Sequence, residues 1–231
     1  MEFFDSLISE VSALADTSQK ATYAYNKDDM WPDIGYSQVI LQRDTAFELE
    51  GVGFNLVTSS QIDDGMVVVG RELDNISNNR KFARICLVQI EKSDDEQEYY
   101  KVIKKADYVK YHFFPEGYMI RTTSRSHKES VRVAKSALKK GVSFEKVGNL
   151  LINKYKEHPK VKAVKVFFIT DENADFKALE SMAQKTTAIT ETLNHIMNNV
   201  TFDCDSCNLK PICDEVEGMK ELHFKNASMG V

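Results

Sequence analysis

Five short runs rich in β-branched and aromatic residues lie between positions 38 and 90, and they constrain the fold more than any other feature of the chain. Gln38–Leu41, Ala46–Glu50, Phe54–Thr58, Met66–Gly70 and Phe82–Ile90 are each the length of a strand, and signals such as GVG and DDG separate them. Gly51 and Gly53 read as a hairpin turn, because a dinucleotide fingerprint needs a third glycine and a following helix. Helical spacing dominates elsewhere. Phe3, Phe4, Leu7, Ile8, Val11 and Leu14 recur every three or four residues, and so do Tyr99, Val102, Ile103, Ala106 and Val109 before Pro115 ends the pattern.

Further along, Tyr118–Thr122 reads as a strand and Ser130–Ala137 as a short helix. Ser143 caps a helix over Phe144, Val147, Leu150, Leu151 and Tyr155. Val161–Thr170 is the clearest strand in the chain, and Phe176, Leu179, Met182, Thr186, Ile189, Leu193 and Ile196 make a long amphipathic helix. Strands in succession, followed by alternating helices and strands, predict an α+β class with a mixed sheet, flanking helices and a short C-terminal metal-binding tail. The expected division is an α+β domain over 1–200 and a tail over 201–231. The tail has too little apolar content to fold by itself, so a bound metal is expected to order it.

At 42% hydrophobic, the 231 residues suffice for an ordinary core without disulfides. A net charge of -5 provides no broad cationic field, so nucleic acid and anionic membrane are not expected partners. Glu2 and Asp5 stand where a secretory signal would be positive, no 18-residue apolar stretch occurs, and a cytoplasmic location is expected.

Of the four cysteines, Cys86 sits in the apolar run Ile85–Val88 and reads as core. Cys204, Cys207 and Cys213 fall within ten residues. Cys-x2-Cys places two thiolates on one turn, a third five residues on can reach the same centre, and His223 is the natural fourth ligand. Spacing alone suits zinc slightly better than iron–sulfur, since Cys3His is a recognised closed zinc set. Asp203, Asp205 and Asp214 are read as solvated.

The stretch Arg121-Thr-Thr-Ser-Arg125-Ser-His-Lys128 is dense in donors, and guanidinium groups beside hydroxyls suit the phosphates of a nucleotide such as coenzyme A, so Arg121 and Arg125 are its candidate ligands. His112 and His195 lie on helical patterns and read as structural. Trp31 reads as a staple for the first helix.

The segment VKAVKVFFITDENADFKALESMAQKTTAITETLNHIMNNVTFDCDSCNLKPIC resembles the acetyl-CoA synthase subunit of the carbon monoxide dehydrogenase/acetyl-CoA synthase complex. There a strand ending in Thr-Asp precedes a long helix, an acidic segment and a Cys-x2-Cys. Upstream, FELEGVGFNLVTSSQIDDGMVVVGRELDNI is similar to that family's middle domain at Glu48, Asp63–Gly65, Val67–Val69, Gly70 and Asp74. The resemblance implies a middle domain with a truncated cluster-binding region. It also implies a 4Fe-4S cluster on Cys204, Cys207, Cys213 and His223, the second gap being shortened to five residues.

Corrinoid protein, ferredoxin or carbon monoxide dehydrogenase are the implied partners. The family's later Cys-Gly-Cys, which holds nickel, has no counterpart here, so acetyl synthesis is not expected of the chain alone. The expected role is an accessory electron-transfer or interaction component, the alternatives being a zinc-stapled interaction protein or a synthase fragment active only with a partner chain.

Overall fold

In the computed structural model, residues 3–17, 19–35, 45–93, 95–122, 128–198 and 207–229 are described. The strands are β1 (Lys20–Ala24), β2 (Ala46–Thr58), β3 (Gly65–Val69), β4 (Arg80–Ile90), β5 (Tyr118–Thr122), β6 (Lys128–Ala134) and β7 (Val161–Ile169). The helices are α1 (Asp5–Ala15), α2 (Glu96–Tyr108), α3 (Lys135–Lys139), α4 (Phe144–Lys156), α5 (Phe176–Met197), α6 (Lys210–Glu215) and α7 (Met219–Met229).

The strands form one mixed sheet in the order β1-β3-β7-β4-β2-β6-β5. β2 runs parallel to β4, and β3 runs parallel to β7; the other neighbours are antiparallel. The mixed α+β architecture is the one the strand and helix patterns predict. β4 and β7 read as almost unbroken apolar runs because helices cover both their faces. α4 packs on β7 and β3, and α5 packs on β2 and β4. Phe82 of β4, Phe144 of α4 and Phe168 of β7 stack against one another, with centroids 6.0, 6.3 and 4.5 Å apart, and lock one face.

Several predicted elements are redrawn. Ala46–Glu50 and Phe54–Thr58 are one continuous 13-residue strand, so Gly51 and Gly53 make no turn. They are glycines because neighbours approach too closely for a side chain. A Cβ on Gly51 would lie 1.7 Å from the Phe82 carbonyl oxygen, and one on Gly53 would lie 2.0 Å from a Glu129 carboxylate oxygen. Ser130–Ala137 is mainly strand β6, because its apolar side chains alternate against β2 rather than following a helical stripe. β1, a polar edge strand with half-exposed residues, carried no sequence signal. Trp31 is tied to Glu116, its indole N–H donating to that carbonyl at 3.2 Å. The predicted strand Gln38–Leu41 lies outside the described residues.

The tail also differs from expectation. Leu209, Val216, Met219 and Leu222 are buried, and α6 and α7 pack on α5. The described part of the tail therefore packs on the preceding domain through four apolar side chains, where the sequence reads as having too few for that. Gly218, at φ 78°, makes the turn between the two helices.

Candidate functional site

Cys207 and Cys213 are reduced and partly exposed. Cys213 sits on α6, with its amide donating to the Leu209 carbonyl at 3.2 Å. His223 is half-buried on α7, its ring stacked on Phe224 at 6.1 Å. Among the described residues, no three His, Cys, Asp or Glu side chains converge as a metal-holding group. The thiols have the soft-donor chemistry that zinc and iron–sulfur clusters take, but the described tail brings them no third ligand. Cys204, Asp203 and Asp205 lie outside the described residues, and Asp214 accepts a 3.2 Å bond from Lys220.

The second sequence-predicted group falls on one face of the sheet. Arg121 pairs with Ser130, Ser130 with Glu50 and Glu50 with Lys81, so these four residues form a row across β5, β6, β2 and β4. Side chains alternate along a strand, so Lys128, Val52, Glu48 and Arg132 share that face, and Glu48 and Arg132 pair across it at 3.3 Å. Beside the row a cavity of about 420 Å³ opens, lined by Glu50, Gly51, Val52, Lys81, Lys128, Phe176, Lys177 and Glu180. The Lys81 ammonium lies 5.6 Å from the centre of the Phe176 ring.

Three lysines and an aromatic face, with Glu50 and Glu180 among them, can hold a ring that bears both anionic and hydrogen-bonding groups. The donor-rich stretch marked the neighbourhood through Arg121 and Lys128. Lys81 and Lys177 were missed, since only the register and the docking of α5 bring them there. Arg125 lies outside the described residues.

Beneath the row, on the other face, is a polar group that sequence reasoning did not find. Arg84 and Glu129 are wholly buried and paired bidentately, Nε to Oε1 at 2.9 Å and Nη2 to Oε2 at 2.7 Å. Arg84 Nη1 also donates to the Cys86 sulfur at 3.0 Å and to Asn55 Oδ1 at 3.4 Å. The Tyr155 hydroxyl donates to the same Asn55 oxygen at 2.7 Å, and Asn55 Nδ2 donates to the Ala106 carbonyl at 3.2 Å.

Burial, the largest influence, disfavours the guanidinium charge, and the Glu129 carboxylate together with Cys86 and Tyr155 outweighs it, so Arg84 stays cationic. Burial likewise pushes the Cys86 thiol up, with Arg84 opposing in part. The core reading of Cys86 holds, in polar company the sequence did not reveal. Geometrically, the pair ties β6 to β4 across β2.

Fold and site define an α+β domain, one sheet face of which carries lysines and glutamates around an open cavity and is backed by a buried ion pair. The family model described as CO dehydrogenase/acetyl-CoA synthase complex beta subunit matches residues 26–174, and the chain belongs to that family. It is similar to the carbon monoxide dehydrogenase/acetyl-CoA synthase subunit alpha of Moorella thermoacetica, 30% identical over 151 residues, which is 63% of this chain and 19% of that subunit. The chain thus spans far less than the whole length of this relative. The match takes in β2 to β7 and the Arg84–Glu129 pair; the three tail cysteines and His223 lie beyond it. No described helix is long and apolar enough to cross a membrane.

Proposed function

We propose that this chain is an accessory component of a carbon monoxide dehydrogenase/acetyl-CoA synthase system. In this reading Cys204, Cys207 and Cys213 hold a 4Fe-4S cluster with His223 as fourth ligand. The protein then passes electrons to, or docks beside, carbon monoxide dehydrogenase, a corrinoid protein or a ferredoxin in the cytoplasm. The observation that carries the reading is the family match over the sheet domain, followed at once by a thiol-bearing tail docked on α5. A bound cluster would supply one-electron chemistry. The chain's own contribution is to seat Cys213 on α6 and to fix that helix against α5 through Val216 and Met219.

Anaerobic purification with analysis of iron, sulfide, zinc and nickel tests this. About four iron and four sulfide per chain are expected, together with broad visible absorption that is lost in Cys204→Ser and Cys207→Ser. Zinc alone would favour the zinc-stapled interaction protein. Nickel near one per chain in the presence of a partner would favour the synthase fragment. Absence of all metals would overturn the site.

A second reading concerns coenzyme A, and the row Arg121–Ser130–Glu50–Lys81 beside the lysine-lined cavity favours it. In this reading the phosphates meet Lys81, Lys128, Arg121 and Arg125, and the adenine ring meets Phe176. Calorimetric titration with coenzyme A should give saturable binding that weakens about tenfold in Arg121→Ala and in Lys81→Ala. Equal affinity in both variants would exclude it.

A further inference from the structure

A second cleft, of about 340 Å³, lies between the end of α2 and the end of α4, and neither proposed site uses it. Its floor is apolar, made by Val102, Ala106, Val109, Val161 and the ring of Tyr155. Tyr155 is fixed from below by its bond to Asn55, so the floor is rigid.

Tyr108 and His112 form the lip. The Tyr108 ring stacks on His112 at 6.1 Å and meets Tyr111 edge-on at 6.0 Å, yet Tyr108 remains 56% exposed. Two residues beyond His112, Phe114 is 52% exposed.

Among the charged groups here, Lys105 is the one cation of the cleft without a carboxylate partner among the described residues, the nearby Glu98 being paired with Lys160 at 3.2 Å. Lys105, Lys154, His112 and His158 line the cleft, and Glu157 is its one acidic residue, already paired with Lys154 at 2.8 Å. Nearby Asp107 is likewise taken by Lys110 at 2.8 Å. Lysines at the end of a helix are explained by its dipole. Exposed aromatic rings held in place beside an apolar cleft are not, and aromatic rings are the residues that anchor interfaces.

We infer that this cleft docks an acidic segment of a protein partner, with one apolar side chain of that segment inserted between α2 and α4. The ring contacts hold the lip in its bound form and so lower the ordering cost. Lys105 selects acidic over basic partners through charge complementarity. The inference is independent of the cluster and of coenzyme A.

The test is an amide-shift titration of the whole 15N-labelled chain with a blocked DELFED hexapeptide, and with KKLFKK as its charge-reversed control. Saturable shifts confined to 102–112 and 154–161 are expected for the acidic peptide, with a dissociation constant below about 1 mM. Lys105→Glu and Tyr108→Ser, both at exposed positions, should each weaken it about fivefold or more while leaving the thermal midpoint unchanged. Three outcomes would overturn the inference: no saturable shift, equal binding of the basic peptide, or affinity untouched in both variants. Concentration-dependent shifts of these residues without peptide would show that a second copy occupies the cleft, and would overturn it too.

Discussion

The side chain that Gly53 lacks is replaced in space by the carboxylate of Glu129. A Cβ at position 53 would sit 2.0 Å from Glu129 Oε2 and 2.3 Å from its carboxyl carbon. One strand contributes an absence and its neighbour a charge, and Arg84 fills the third position. This arrangement lets an edge hairpin be fastened to the centre of the sheet by a fully desolvated ion pair.

Gly53→Ala should therefore destabilise the fold by about 2–4 kcal/mol, because the new methyl group expels a paired carboxylate into surroundings that cannot solvate it. Combined with Glu129→Ala, which empties the same space, the two costs should fall well short of adding. Urea denaturation of the four species closes the cycle.

Removing one member of the ion pair leaves the other charged and buried. Arg84→Met and Glu129→Leu should each cost about 3–5 kcal/mol, whereas the double substitution should recover most of that loss. A double-variant cost equal to the sum of the two single costs in equilibrium unfolding would show that the pair is not coupled.

Burial and a raised thiol pKa make Cys86 a poor nucleophile. In native metal-free protein, 5,5′-dithiobis(2-nitrobenzoic acid) should label Cys207 and Cys213 rapidly and reach Cys86 only when the chain unfolds. Mass spectrometry of partly labelled protein resolves the sites.

His158 has its pKa lowered by burial first, then by Lys105 and Lys160, with Glu98 opposing. Its unfolded value is about 6.5, so the unfolded chain binds more protons just below that pH. The stability it contributes is complete above about pH 6.5 and is lost as the pH falls through the folded value. Unfolding free energies measured from pH 7.5 to 5 should decline less steeply in His158→Gln than in the parent.

Met219 is fully buried where α7 meets the core. Met219→Ala should cost about 2–5 kcal/mol and raise hydrogen exchange across 207–229, whereas a chelator should leave that exchange unchanged. Exchange that rises with the chelator alone would return the ordering of the tail to a metal.

Long amphipathic patterns and apolar runs were readable because each reports a local periodicity. α4 with its Ser143 cap and the length of α5 follow from spacing, as do β4 and β7 from runs rich in apolar and β-branched residues. The errors have a common cause. Gly51 and Gly53 share the composition of a turn and the steric role of a close approach, and the Phe82 carbonyl and the Glu129 carboxylate that decide between them lie 31 and 76 residues further along the chain. Ser130–Ala137 contains apolar residues compatible with either period until β2 pairs with it. In the tail, four well-spaced apolar residues looked too few, because the surface of α5 that receives them is set by another segment.

By itself, the sequence determined the class of fold, most of the elements, the core placement of Cys86, the donor-rich stretch from Arg121 to Lys128 and the membership that its resemblance implied. Only the tertiary structure decided that Arg84 and Glu129 meet, that Lys81 and Lys177 join Lys128 around one cavity, and that the tail docks through Met219 and Leu222. Periodicity is a property of neighbours along the chain. A buried charge pair or a cavity is a property of strand register and helix docking, and it arises when residues far apart in sequence come to share one volume from which water is excluded.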